Sequence, residues 1–103
     1  IVLFFIPRKL RYKDVSRDVV LITGGGNGIG RLLAIKFAKK GAKVVIWDIN
    51  EENLNETKRT IDDAGGLCSA FVCDVGKKSD VYKTAEIVRK EVGDVTILVN
   101  NAG

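Results

Sequence analysis

The chain has 103 residues, 17 Lys and Arg against 13 Asp and Glu, two cysteines, and neither histidine nor methionine. Its net charge of +4 is local, because Arg8, Lys9, Arg11 and Lys13 stand in an acid-free stretch and the remaining 13 cations balance the 13 acids. A neutral globular part offers no basic face to nucleic acid, the missing histidine removes the usual mixed zinc sets, and the length suits one small domain or part of a larger one.

Residues 1–6, Ile-Val-Leu-Phe-Phe-Ile, are uniformly apolar and run through Pro7 into the basic cluster. Six residues cannot span a bilayer, but an apolar run followed at once by Arg and Lys has the form of a membrane segment's cytosolic end. We expect residues 1–13 to be the end of a membrane anchor with its basic flank. Residues 14–103 then form a domain facing the cytosol. A buried strand or a ragged terminus is the competing reading. With no methionine, the chain reads as an internal stretch of a longer protein.

After a short polar lead-in at 14–18, Val19-Val20-Leu21-Ile22-Thr23 is a continuous apolar, β-branched run, as in a strand buried on both faces of a parallel sheet. Gly24-Gly25-Gly26-Asn27-Gly28-Ile29-Gly30 breaks it, and Arg31 to Lys40 resumes with helical apolar spacing. Strand, glycine turn and helix make a seat for an anion: free N–H groups and a partial positive charge at the helix start, with no Cβ in the way. The pyrophosphate of a dinucleotide is the expected guest. A plain glycine turn without a ligand is the alternative at this point. The spacing is T-G-x-x-x-G-x-G at Thr23, Gly24, Gly28 and Gly30; G-x-G-x-x-G fails, because Ile29 stands where the last glycine should be.

Lys39, Lys40 and Gly41 end that helix with cations and a left-handed cap. Ala42 to Trp47 follows as a second strand ending at Asp48. Asn50 caps a second helix with Glu51 and Glu52 in its first turn, a buried stripe of Leu54, Thr57, Ile61 and Ala64, and a Gly65-Gly66 stop. Leu67 to Cys73 reads as a third strand. A third helix starts near Ser79, buries Val81, Ala85, Val88 and Val92, and ends at Gly93. Val95 to Val99 is the fourth strand, leading into Asn100. Cys68 and Cys73 fall on opposite faces of the third strand, roughly 16 Å apart, too far for a disulfide. They read as small core residues of a protein from a reducing compartment.

The alternation predicts an α/β fold, a doubly wound parallel sheet of Rossmann type truncated after the fourth strand. The first two helices should cover one face and the third the other. The fourth strand would be left as an apolar edge that invites association. In such sheets ligands bind at the carboxyl ends of the strands, where the strand order reverses. Asp48 lies there, twenty residues beyond Gly28, placed to accept hydrogen bonds from the adenosine ribose. A 2′-phosphate would meet like charge, and neither Ile49 nor Asn50 supplies a cation, so NAD is expected over NADP. Asp74-Val75 ends the third strand as an acceptor for the adenine amino group or, equally, as a turn aspartate. Asn100-Asn101-Ala102-Gly103 ends the fourth, small enough for a cofactor to pass the backbone; a loop-forming Asn pair is the alternative.

Thr23-Gly24-x-x-x-Gly28-x-Gly30, Asp48, Asp74-Val75 and Asn100-Asn101-Ala102-Gly103 together resemble the short-chain dehydrogenase/reductase family over residues 19–103. Trp47-Asp48-Ile49-Asn50, the Gly93-Asp94-Val95 turn and the apolar-then-basic start resemble its membrane-associated retinol and 17-beta-hydroxysteroid dehydrogenases, including epidermal retinol dehydrogenases. The resemblance implies an NAD-dependent oxidoreductase acting on a lipophilic alcohol or ketone, such as a retinoid or steroid. It also implies placement at the endoplasmic reticulum or lipid droplet, and it is compatible with a homo-oligomer. By the same resemblance Thr23, Gly24, Asn27, Gly28, Ile29 and Gly30 belong to the pyrophosphate region and nearby ribose, Asp48 and Ile49 to the adenosine ribose, and Asp74 and Val75 to adenine. Asn100, Asn101, Ala102 and Gly103 belong to the nicotinamide side. The family's serine and Tyr-x-x-x-Lys pair are not supplied by Tyr12, with Ser16 four residues on, or by Tyr82, with Glu86 four on. That chemistry is expected beyond Gly103. A non-catalytic NAD(H) sensor on the same fold, or an NADP-dependent carbonyl reductase, are the rival readings.

Overall fold

A computed structural model describes residues 14–102. The expected anchor at 1–13 and Gly103 lie outside the described residues. Strands and helices alternate throughout: β1 (Val19–Thr23), α1 (Gly28–Lys39), β2 (Lys43–Asp48), α2 (Glu51–Asp63), β3 (Leu67–Val72), α3 (Lys78–Glu91) and β4 (Ile97–Asn100). The strands form one parallel sheet in the order β3-β2-β1-β4. Strand order thus reverses between β1 and β4, the position where open α/β sheets bind ligands.

The reversal follows from where the helices pack. Ala34, Phe37 and Ala38 of α1 and Leu54 and Ile61 of α2 share one core with Val20, Ile22, Val44, Ile46 and Cys68. Val88 of α3 joins the opposite core with Val19, Leu21, Val45, Trp47 and Cys73. Every residue of β1 is buried, as its unbroken apolar run requires of a strand covered on both sides. The two cysteines lie on opposite faces as expected, and both are free thiols.

Local chemistry sets the helix limits. Asn27 caps α1, its side chain accepting from the Gly28 N–H, so the helix begins at Gly28 and takes in the last two glycines of the turn rather than waiting for Arg31. Gly41 follows its C-terminus at φ 92°, a conformation that suits glycine. Asn50 caps α2 through the Asn53 N–H. α3 starts at Lys78 without a side-chain cap.

Several expectations shift by a residue or two. Ala64 is exposed because it lies past the last turn of α2. On α3 the buried positions are Thr84 and Val88, while Ala85 is exposed; the face toward the sheet is turned one residue back from the 81-85-88 reading. β4 starts at Ile97, not Val95, because Thr96 is occupied differently. Its hydroxyl accepts from the Val19 N–H at 3.0 Å and donates to Asp18 at 2.8 Å, tying the lower ends of β1 and β4 together. The lead-in is anchored as well, since Val15 is fully buried. Among the described residues, no helix is long and apolar enough to cross a membrane.

Burial pushes the Cys68 thiol up to about 12, with Lys58 pulling weakly the other way. A folded-state value above the ordinary one near 9 means that the neutral thiol favours the fold below that pH, and stability falls as pH rises from there toward about 12. In the native protein at pH 8, iodoacetamide should leave Cys68 unmodified and label it only after denaturation. Native labelling at the rate of a free thiol, read by peptide mass spectrometry, would contradict this packing.

Candidate functional site

The carboxyl ends of β1, β2 and β4 and the turn after β3 meet at the strand-order reversal. β1 leaves the sheet at Gly24, whose φ of 69° turns the chain sharply. The Gly24 and Gly25 N–H groups both donate to the Trp47 carbonyl, at 2.7 and 3.2 Å, which locks the turn onto the end of β2. The Gly26 N–H donates to Asp48 Oδ2 at 3.1 Å. The loop's first three amides are therefore spent on the protein. The amides of Ile29 and Gly30, in the first turn of α1, have no protein acceptor among the described residues and remain for an anion.

Glycine is required here for two distinct reasons. A Cβ on Gly30 would drive into the Gly24 carbonyl and lie 2.7 Å from Asn101 Nδ2, so only glycine lets the helix press this close to the loop. Gly28 has φ 54°, yet a Cβ there would meet nothing within 4 Å. It leaves open space beside the free amides, which is the room an approaching ligand needs.

The exit of β4 is braced against β1. The Thr23 hydroxyl accepts from the N–H groups of Asn101 and Ala102 at 3.0 and 3.1 Å and donates to Asn100 Oδ1 at 3.1 Å. Those three bonds fill the hydroxyl's capacity and hold Thr23 at 5% exposure. Asn101 Nδ2 donates to the Gly24 carbonyl at 3.2 Å, while its Oδ1 is buried without a partner among the described residues. An orphaned buried acceptor beside a glycine turn suits a donor that a ligand brings.

Asp48 is half-buried. Oδ2 accepts from Gly26 and Oδ1 from the Asn50 N–H at 3.2 Å, leaving capacity for two further donors on an ionised carboxylate. Asp74 Oδ1 accepts from the Gly76 N–H at 2.9 Å, so it does form the turn that its sequence context allows, with Oδ2 left over. A cleft of about 250 Å³ joins Gly24, Asp48, Ile49, Asp74, Val75 and Ala102, all expected at the site from sequence, with Trp47 and Cys73, which sequence alone does not place there. Ile49 stands at its rim, 69% exposed. Asn27, Gly28, Ile29 and Gly30 lie beside the cleft on the loop and α1. Thr23, Asn100 and Asn101 brace it, and Gly103 is outside the described residues.

Sequence reading passed over Arg31. Its guanidinium donates to the Gly26 carbonyl at 2.6 Å and to Thr57 Oγ1 at 2.9 Å, and it pairs with Glu56 at 3.3 Å. The available signal was Thr57, a hydroxyl amid the apolar stripe of α2, which must find a partner once buried.

A glycine turn from the first strand into a helix, an acid at the end of the second strand and a cleft at the strand-order reversal define a dinucleotide-binding domain of Rossmann type. The sequence model of the short chain dehydrogenase family matches residues 18–103, and the chain belongs to that family. It is 56% identical over 98 residues to human short-chain dehydrogenase/reductase 3, covering 94% of this chain and 32% of that one. Mouse epidermal retinol dehydrogenase 2 is 49% identical over 102 residues, 98% of this chain and 33% of that one. Human estradiol 17-beta-dehydrogenase 11 is 50% identical over 99 residues, 96% and 32% of the two chains. The chain thus spans about a third of the length of the curated relatives it matches.

Among solved structures, a hydroxysteroid dehydrogenase from Escherichia coli superimposes with a TM-score of 0.83 at 39% identity, over 86% of this chain and 38% of that one. A polyketide ketoreductase with NADPH matches at TM-score 0.80 and 34% identity, over 84% and 33% of the chains. An NAD+-bound xylitol dehydrogenase does so at 0.80 and 29%, also over 84% and 33%. The likeness supports a nicotinamide dinucleotide and leaves the choice between its two forms to this chain's own residues.

The two kinds of glycine predict different costs. Gly28→Ala should lose on the order of 1–2 kcal/mol from backbone strain and keep the fold. Gly30→Ala, which forces the helix and loop apart, should lose at least twice as much. Denaturant unfolding of the intact protein separates the two; equal losses would show that α1 does not pack on the Gly24 carbonyl.

Proposed function

We propose that this chain is the cofactor-binding portion of an NAD-dependent oxidoreductase that acts on the hydroxyl or carbonyl of a lipophilic substrate. The observation that carries the reading is Asp48, a carboxylate at the end of β2 with two acceptor positions open to the cleft and its other bonds fixing the glycine loop. Two ribose hydroxyls satisfy those positions. The diphosphate then lies along the amides of Ile29 and Gly30, with Gly28 leaving it room. Adenine fits between Ile49, Asp74 and Val75, where Asp74 Oδ2 can accept from the exocyclic amine. The nicotinamide half runs past Asn101 and Ala102 toward Gly103. The bound cofactor supplies hydride transfer, while the residues described here bind and orient it. The family's Tyr-x-x-x-Lys pair has no counterpart at Tyr12 or Tyr82, so proton transfer falls to other residues of the whole protein.

The names of the curated relatives support a retinoid or steroid as substrate class. The apolar-then-basic pattern at 1–13 supports delivery of such a substrate from a membrane surface. With the intact protein, salt-resistant cosedimentation with membranes that is lost on deleting residues 1–13 is the expected result; a freely soluble intact protein would remove the membrane part of the reading.

Cofactor choice rests on charge. A 2′-phosphate about 5 Å from the Asp48 carboxylate costs roughly 3 kcal/mol at an effective dielectric of about 20. Asp48→Ala loosens the glycine loop for both cofactors alike, so the ratio of their affinities reads what the carboxylate does at the 2′ position, its bond to the NAD hydroxyl together with its repulsion of the phosphate. That ratio, measured by calorimetry, should fall at least about tenfold toward NADP. An unchanged ratio would overturn the assignment of NAD.

A further inference from the structure

We propose that Arg31 is a positioning residue for the cofactor's diphosphate, acting through the Gly26 peptide; this rests on the dinucleotide reading above. Gly26 is gripped from both sides. Its N–H donates to Asp48 Oδ2 at 3.1 Å, and its carbonyl accepts from the Arg31 guanidinium at 2.6 Å. The same guanidinium is fixed by Thr57 Oγ1 at 2.9 Å, by the Asn53 carbonyl at 3.5 Å and by Glu56 at 3.3 Å, all on α2. Arg31 therefore measures the distance between the glycine loop and a helix that has no part in holding the ligand.

The reason such a brace matters lies in Gly26 itself. A glycine has more backbone freedom than any other residue, and rotation at Gly26 would shift Asn27, the cap of α1, relative to the rest of the loop. A charged planar donor with three separate anchors stops that rotation at lower entropic cost than a flexible ammonium. Thr57 is wholly buried, so the anchor itself cannot drift. Asp48 holds the peptide on the N-terminal side of Gly26, and Arg31 the one on its C-terminal side. One glycine, fixed on both sides, thus sets the spacing between the ribose acceptor and the diphosphate donors.

A brace of this kind affects ligands that carry the diphosphate and spares those that do not. With the intact protein, Arg31→Gln should raise the dissociation constants of NAD and ADP roughly tenfold, and that of adenosine by less than about twofold. Arg31→Lys keeps one bond to the Gly26 carbonyl and should recover part of the loss. Thr57→Val removes an anchor without touching the loop and should show the same ligand pattern more weakly, which guards against a variant that simply fails to fold. Equal weakening of adenosine and ADP, or a lowered melting temperature with all three affinities preserved, would make Arg31 a stabilising residue only and overturn the proposal. Failure of the unaltered protein to bind NAD would instead overturn the dinucleotide reading on which it rests.

Discussion

Everything at the upper end of this sheet depends on the missing side chain of Gly30. Without a Cβ, α1 presses directly on the Gly24 carbonyl, and the same carbonyl accepts from Asn101. Three elements that are distant in the chain thereby meet at one peptide: the end of β1, the first turn of α1 and the exit of β4. Thr23 completes the junction from below by holding the Asn101 and Ala102 amides. The proposed anion seat is a by-product of this packing. Because the loop's own amides are consumed in fastening it to Trp47 and Asp48, the first turn of the helix is left as the place where N–H groups face outward.

That economy explains what could be read from the sequence and what could not. Strand and helix order was legible because each element carries its own periodicity, and β1 is apolar without interruption for a reason the fold makes plain: α1 and α2 cover one side, α3 the other. Glycine spacing was legible too, since two of the glycines are demanded by geometry that no other residue meets. Asp48 declared itself by its place at the end of a strand. Its bond to Gly26 did not, because a loop amide 22 positions away in sequence leaves no pattern.

The errors have a common cause. The apolar spacing of α3 points Ala85 inward, whereas the structure buries Thr84 and exposes Ala85. Small apolar residues tolerate exposure, and threonine tolerates burial when its hydroxyl is satisfied, which weakens both as markers. Thr57 lies on the buried stripe of α2 as its spacing predicts, and its hydroxyl accepts from Arg31. A buried polar group on an otherwise apolar stripe is a request for a specific neighbour, and here that neighbour also donates to the Gly26 carbonyl of the glycine loop.

A division of labour between backbone and side chain follows. In the proposed function the diphosphate is met by main-chain amides and a helix end, which any sequence can supply provided that glycine stands at the crowded positions. Discrimination cannot come from there, because both forms of the dinucleotide carry the same diphosphate. It has to come from groups that see the 2′ position, and in this chain the nearest is a carboxylate already committed to the loop. Under the proposed function, binding and selectivity are coupled through Gly26: the carboxylate proposed to reject a 2′-phosphate also accepts from the Gly26 N–H of the loop that precedes the proposed anion seat. Reversing the preference by substitution at Asp48 alone would therefore loosen the seat as it admits the new ligand. A variant that accepts the phosphate without losing affinity must replace the carboxylate's hold on the Gly26 N–H as well as its charge.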